Sequence, residues 1–140
     1  MTDEQRRAEQ IVAGMLAKDA FSRWLGVEVS ELGPARCVCR MVVRDEMANG
    51  FDVAHGGIVF SLADSAFAFA CNTQGRITMS IENAITYPMP VHPGDRLTAV
   101  ASEEAASRRL GFYRVDVTNQ RQETVALFRG TAYKTSQEHP

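Results

Sequence analysis

Gly57-Ile58-Val59-Phe60-Ser61-Leu62-Ala63-Asp64-Ser65-Ala66-Phe67-Ala68-Phe69-Ala70-Cys71-Asn72 is the stretch on which the fold turns. Its Ala, Leu and Phe content predicts a helix that is apolar on most of its sides. Such a helix must be wrapped by other elements before it is stable in water. The apolar run is interrupted by Asp64 and falls short of the ~20 residues needed to cross a bilayer, so it reads as a buried helix and no membrane partner is expected.

The flanking sequence supplies the wrapping. On the N-terminal side, runs at 26–32 and 35–44 are separated by the turn pair Gly33-Pro34, and Arg36, Arg40 and Arg44 alternate with Cys37, Cys39, Met41 and Val43, as in a hairpin with one wet face. On the C-terminal side, strand-like runs at about 77–87, 95–104, 110–119 and 123–134 are broken by turn formers at 88–94, 107 and 120–122. Before all of these, Thr2 and Gln5 form a capping-box pattern, and Ala8, Ile11, Val12, Met15 and Leu16 follow at helical spacing, so the first element is an amphipathic helix. Asp19 is positioned to cap a short further turn through Phe21 and Trp24, which Gly26 ends. Several antiparallel strands with one apolar helix inserted after the second satisfy that helix by curling around it, an α+β design. The expectation is one domain over 1–140, with a helical segment at 1–24 and a short tail at 135–140.

Composition narrows the function classes. The chain has 140 residues, 45% of them hydrophobic and 23% charged, which excludes disorder and low complexity. A net charge of −2 provides no broad basic field, so nucleic acid is not an expected partner. Cys37 and Cys39 lie two apart on one strand and are poorly placed for a disulfide, which, with a charged start that shows no secretory signal, favours reduced thiols and a cytoplasmic protein. No Cys, His and acid spacing matches a metal site, and no phosphate-binding glycine loop is present, so no cofactor is expected.

Asp64 is the most informative residue, because a carboxylate inside an apolar helix is costly unless it is paired or used. Two accounts stay open: a polar edge of the helix bonded to a nearby amide or a second subunit, or a general base or nucleophile in a dry pocket. Gly56 and Gly57 open the helix, where unpaired N–H groups favour an anionic oxygen, although two glycines also make an ordinary tight turn. Eight residues separate Gly56 from Asp64, ~12 Å along a helix at ~1.5 Å per residue, so one small carbonyl cannot touch both on the same chain. If both act on one substrate, a second subunit supplies the carboxylate. His55 is assigned positioning, not proton transfer. A Ser61, His55 and Asp64 triad lacks a nucleophile elbow and the required geometry. Phe60, Phe67 and Phe69 read as core that is able to line an acyl pocket, and Arg108 and Arg109 either solvate a strand end or, with Arg129 or Lys134, hold a polyphosphate.

Asn49-(x5)-His55-Gly56-Gly57-(x4)-Leu62-Ala63-Asp64, followed by Ser65 to Asn72, together with Pro93-Gly94-Asp95-Arg96-Leu97-Thr98-Ala99 and Val125-Ala126-Leu127-Phe128-Arg129-Gly130, resembles the hot-dog-fold acyl-CoA thioesterases, and more narrowly the phenylacetic acid degradation type. The resemblance runs from about residue 15 to 134. It implies a long helix wrapped by a curved antiparallel sheet, pairing into a homodimer or homotetramer, and hydrolysis of an aryl-acyl or medium-chain acyl-CoA without a cofactor. It implies that Asp64 activates water or attacks the thioester. The Gly56 amide and the Asn49 side chain, from the facing subunit, then polarise the carbonyl, and Ser80 positions the water. Gly57, Phe60, Ser65 and Arg129 complete the expected substrate contacts. Many relatives carry Arg-Pro where this chain has Met89-Pro90. The rival readings are a non-catalytic acyl-CoA-binding protein and a hydratase or dehydratase on the same fold.

Overall fold

A computed structural model describes residues 1–140. Helix α1 (Asp3–Lys18) begins at Thr2, whose side chain accepts from the Gln5 amide, and it buries Ala8, Ile11 and Val12. The capping box is only half made, because Gln5 Nε2 turns away to donate to the Leu32 carbonyl at 2.6 Å and to Glu9 at 3.3 Å, and the first of these bonds docks α1 against the hairpin. Asp19 caps α2 (Ala20–Leu25) as the sequence predicts, and Gly26 ends it with a left-handed φ of 82°.

The hairpin β1 (Glu28–Gly33) and β2 (Arg36–Val42) turns through Pro34 and Ala35. Cys37, Cys39 and Met41 are buried and Arg36 and Arg40 exposed, but Val38 is buried as well, so the outer face of β2 is not uniformly wet. The two thiols are free, with their sulfurs 3.7 Å apart. After a 3-10 turn at Asp45–Met47 comes the long helix α3 (Gly56–Cys71), then β3 (Arg76–Thr86), β4 (Arg96–Ala106), β5 (Leu110–Thr118) and β6 (Thr124–Glu138). Strand β6 continues to Glu138, so most of the stretch expected as a tail at 135–140 is strand. Thr135 Oγ1 donating to the Ile77 carbonyl at 2.6 Å holds it there, and so does His139, whose ring nitrogen lies 2.8 Å from buried Asn72 Oδ1.

All neighbouring strands are antiparallel, in the order β1-β2-β4-β5-β6-β3. Helix α3 packs against β2, β3, β4, β5 and β6, as the wrapping argument requires. Phe67 is fully buried between Tyr113 and Phe128, with ring centroids at 5.5 and 5.7 Å, and Phe60 meets Phe128 edge-on at 5.6 Å. Gly130 makes room for this cluster, since a Cβ there would lie 2.7 Å from the Phe67 ring. The closing strand β3 is a free edge, and its Met79 and Ile81 are each 59% exposed. A register shift between Ser80 and Glu82 bulges β3 at this edge. No helix is long and apolar enough to cross a membrane.

Candidate active site

The N-terminus of α3 is built by a loop whose backbone is tied on both flanks. The Ala54 amide donates to the Val91 carbonyl at 2.6 Å, and the His55 amide donates to the Met47 carbonyl at 2.9 Å. His55 is the N-cap: its Nδ1 accepts from the Gly57 amide at 2.9 Å, and its carbonyl accepts from the Ile58 amide at 2.9 Å. The ring thus serves as an acceptor for the first turn, and His55 shapes the helix start. The Gly56 N–H, by contrast, has no acceptor anywhere in the chain. It remains an open donor at the positive end of a 16-residue helix.

Asn49 lies in the same loop. Its Oδ1 accepts from the Phe51 amide at 2.8 Å, an Asx turn that fixes the carboxamide plane and leaves Nδ2 without an acceptor in the chain. Two unsatisfied donors, Gly56 N–H and Asn49 Nδ2, are therefore carried by one rigid loop.

Two turns along α3, the Asp64 carboxylate is half-buried and makes no hydrogen bond or ion pair. Burial pushes its pKa above the ordinary aspartate value, and the like charge of Asp19 adds to the rise. Asp19 reaches the neighbourhood through a short polar chain, which sequence reasoning missed. Ser22 Oγ donates to Asp19 Oδ2 at 2.6 Å, and Ser22 Oγ and Ser65 Oγ are 2.8 Å apart. Ser22 is 1% and Ser65 8% exposed, so this chain pins α2 to α3 beneath Asp64. Ser65, expected to contact substrate, is taken up here. The signal was present in part, since Asp19 reads as a cap, but the contact between Ser22 and Ser65 spans 43 residues. Cys71 is no rival nucleophile, because burial pushes its thiol up to about 12.

The other expected residues divide between the two faces of the sheet. Ser80 is paired with the buried Ala132 and lies on the same face as α3 beside the free edge, its hydroxyl donating to Asn83 Oδ1 at 3.0 Å. Phe60 is half-buried against Phe128, and Gly57 is exposed with its amide given to His55. Arg129 follows the inward-facing Phe128 and so points to the outer face, where it pairs with Glu104 at 2.9 Å. The chain does not bring it to the loop or to Asp64. Lys134 and Arg109 do lie together, with Lys134 Nζ on the Ser107 carbonyl at 3.1 Å, but they stand apart from Arg129. Sequence reasoning also gave no role to Tyr87, whose hydroxyl donates to the Gly56 carbonyl at 2.8 Å.

Beside His55 and Gly57 opens a cleft of about 450 Å³, lined also by Phe21, Trp24, Met47 and Ile58. Phe21 and Trp24 stack with ring centroids 6.0 Å apart, and the Arg44 guanidinium lies 4.9 Å from the Trp24 ring centre while donating to the Trp24 and Leu25 carbonyls. The aromatic wall of the cleft is thus held from behind.

An open amide at a helix N-terminus and a desolvated carboxylate on one helix, inside a curled antiparallel sheet, suit acyl transfer to water. The thioesterase superfamily matches residues 51–126. The chain is 38% identical to the acyl-coenzyme A thioesterase PaaI of Escherichia coli over 91% of each chain, and 28% identical to human acyl-coenzyme A thioesterase 13 over 86% of this chain and 88% of that one. The solved structure of the Escherichia coli PaaI protein, from the phenylacetic acid degradation operon, superposes with a TM-score of 0.94 over 97% of this chain and 99% of that one, at 36% identity. Helix, sheet and motif therefore converge, and the chain belongs to the thioesterase superfamily, with the hot-dog fold and the thioester hydrolase chemistry of that family.

Proposed function

We propose that this protein hydrolyses aryl-acyl-CoA, of the phenylacetyl or hydroxyphenylacetyl type, to the free acid and CoA, working as a homodimer or a homotetramer. The observation that carries the reading is the pairing of an unsatisfied, fixed donor at Gly56 with an unpartnered carboxylate at Asp64 on the same helix. The thioester carbonyl accepts from Gly56 N–H and Asn49 Nδ2, which are worth about 3 kcal/mol per donor as negative charge develops on its oxygen. Asp64 takes a proton from the attacking water and passes it to the departing sulfur, or attacks the carbonyl carbon itself to give an acyl-aspartyl anhydride that water then hydrolyses to the free acid. The tetrahedral intermediate collapses with loss of CoA thiolate. The ~12 Å between Gly56 and Asp64 along one helix requires that the carboxylate come from a second copy. The exposed edge of β3, with Met79 and Ile81 outward, supports that pairing.

The aryl preference is supported by the cleft beside Gly57, whose Phe21 and Trp24 rings offer stacking to an aromatic acyl group. Trp24→Ala is expected to lower kcat/KM for phenylacetyl-CoA by about 3- to 10-fold, the worth of one aromatic pair, and to change a short straight-chain acyl-CoA less. An equal loss on both substrates would remove the cleft from substrate recognition. The activity itself is tested by thiol release from phenylacetyl-, hydroxyphenylacetyl-, benzoyl- and straight-chain acyl-CoAs. Release from the aryl-acetyl members fastest is expected, and release from none would overturn the reading.

The acid limb of the rate profile carries a second signature. Asp64 acts as the anion, and burial with the charge of Asp19 raises its pKa, so activity falls off at a higher pH than an ordinary aspartate would allow. Asp19→Asn keeps a good helix cap and removes the like charge. The acid limb of kcat/KM is expected to move to lower pH in this variant, and a limb that stays in place would show that Asp19 does not act on Asp64.

A further inference from the structure

We propose that Tyr87 is a positioning residue for the oxyanion donor, holding the Gly56–Gly57 peptide so that the Gly56 N–H points at the thioester oxygen. The proposal rests on the reading of Gly56 as that donor. Glycine is the residue least able to hold its own dihedrals, and an oxyanion donor is effective only if it is already oriented when charge develops. Something outside Gly56 must therefore fix it.

The two peptide planes that meet at its Cα are both tethered. The preceding plane is held by the Ile58 amide on the His55 carbonyl at 2.9 Å. The following plane is held at both ends: Tyr87 Oη donates to the Gly56 carbonyl at 2.8 Å, and the Gly57 N–H of the same peptide donates to His55 Nδ1 at 2.9 Å. Hydrogen bonds in series through one peptide group polarise one another, so each tightens the next. The Tyr87 ring also closes the space where a side chain would stand, since a Cβ on Gly56 would lie 3.3 Å from its Cζ and Oη. A glycine is thereby required, and its freedom is removed from outside.

Tyr87 is itself well anchored for this task. It follows Thr86, which is paired with Leu127 at the end of β3, and it precedes Pro88, which restricts its backbone to extended conformations. Burial raises the pKa of its phenol, so the hydroxyl remains a donor through the neutral range. Its link to Gly56 spans 31 residues.

The test uses Tyr87→Phe, which keeps the ring and removes one oxygen. With the best thioester of the panel, kcat is expected to fall about 10-fold, less than the loss of a whole donor, with KM within about twofold. The second readout needs no turnover. Phenylacetyl-CoA labelled with ¹³C at the thioester carbonyl is bound to Asp64→Asn and to Asp64→Asn/Tyr87→Phe, and the infrared carbonyl band is compared with that of free ligand. A red shift in the first protein that shrinks in the second is expected, and a merely structural tyrosine would not move it. A shift of equal size in both, or a kcat for Tyr87→Phe within twofold of the wild type, overturns the role of Tyr87. Wild-type protein that releases no thiol, or a carbonyl unshifted in Asp64→Asn alone, overturns instead the reading on which the proposal rests.

Discussion

Asp64→Asn is expected to lower kcat by about 10³-fold, within the range that a positioned acid or base supplies, and at the same time to raise the melting temperature at neutral pH. The amide has the shape of the carboxylate but can neither accept a proton from water nor attack the thioester. The stability half follows from the titration. Burial and Asp19 raise the folded-state pKa of Asp64 above its unfolded value. A group raised in this way contributes stability that is present below its unfolded pKa and lost as pH rises through the folded one, so at neutral pH the wild type has lost it. The amide of the variant carries no charge to desolvate and escapes that loss. Thiol release and thermal melts at several pH values check both halves, and the wild type should lose stability relative to the variant as pH rises across the acid limb of its activity. The two accounts of Asp64 that the sequence left open predict opposite melts. A carboxylate kept for structure would, on replacement, lower the melting temperature and spare turnover, a result that would end the catalytic reading.

The fold was legible because its deciding element is extreme. A helix as apolar as α3 has one way to be satisfied by short antiparallel strands, and the turn formers at 33–34, 88–94 and 120–122 mark where those strands end. The boundaries that moved did so for tertiary reasons. Gln5 abandons its capping partner for the Leu32 carbonyl, and β6 extends to Glu138 because Thr135 and His139 find partners on Ile77 and Asn72. The candidate site was legible only where its parts are close in sequence. His55 before Gly56-Gly57, and Asp64 two turns later, can be read along one chain. Tyr87 on Gly56 and Ser22 on Ser65 join residues far apart, through side chains whose types are common everywhere, so no local pattern marks them. Arg129 shows how strand alternation separates residues that the sequence places near one another. Its charge suggested a phosphate contact, but strand alternation after Phe128 turns it to the outer face and onto Glu104.

Mixing two inactive variants is expected to restore activity, and this follows from the proposed site shared between two chains. Gly56 and Asp64 are ~12 Å apart along one helix, so on the proposed reading each site takes its donor from one chain and its carboxylate from the other. Gly56→Val places a branched side chain against the Tyr87 ring, where even a Cβ would be at 3.3 Å, and displaces the donor. Asp64→Asn removes the base. Each variant by itself forms symmetric dimers with both sites damaged. When the two are unfolded together and refolded at equal amounts, about half of the dimers are mixed, and each of these has one site with both lesions and one with neither, which returns about a quarter of wild-type turnover. The same fraction is expected whether the dimers stay free or pair into tetramers, because each site belongs to a dimer. If donor and base came from the same chain, every site in the mixture would keep one lesion and the activity would equal the average of the two parents. A mixture that recovers nothing while wild-type protein refolds to full activity would therefore return the site to a single chain and require that α3 reach its substrate in some other way.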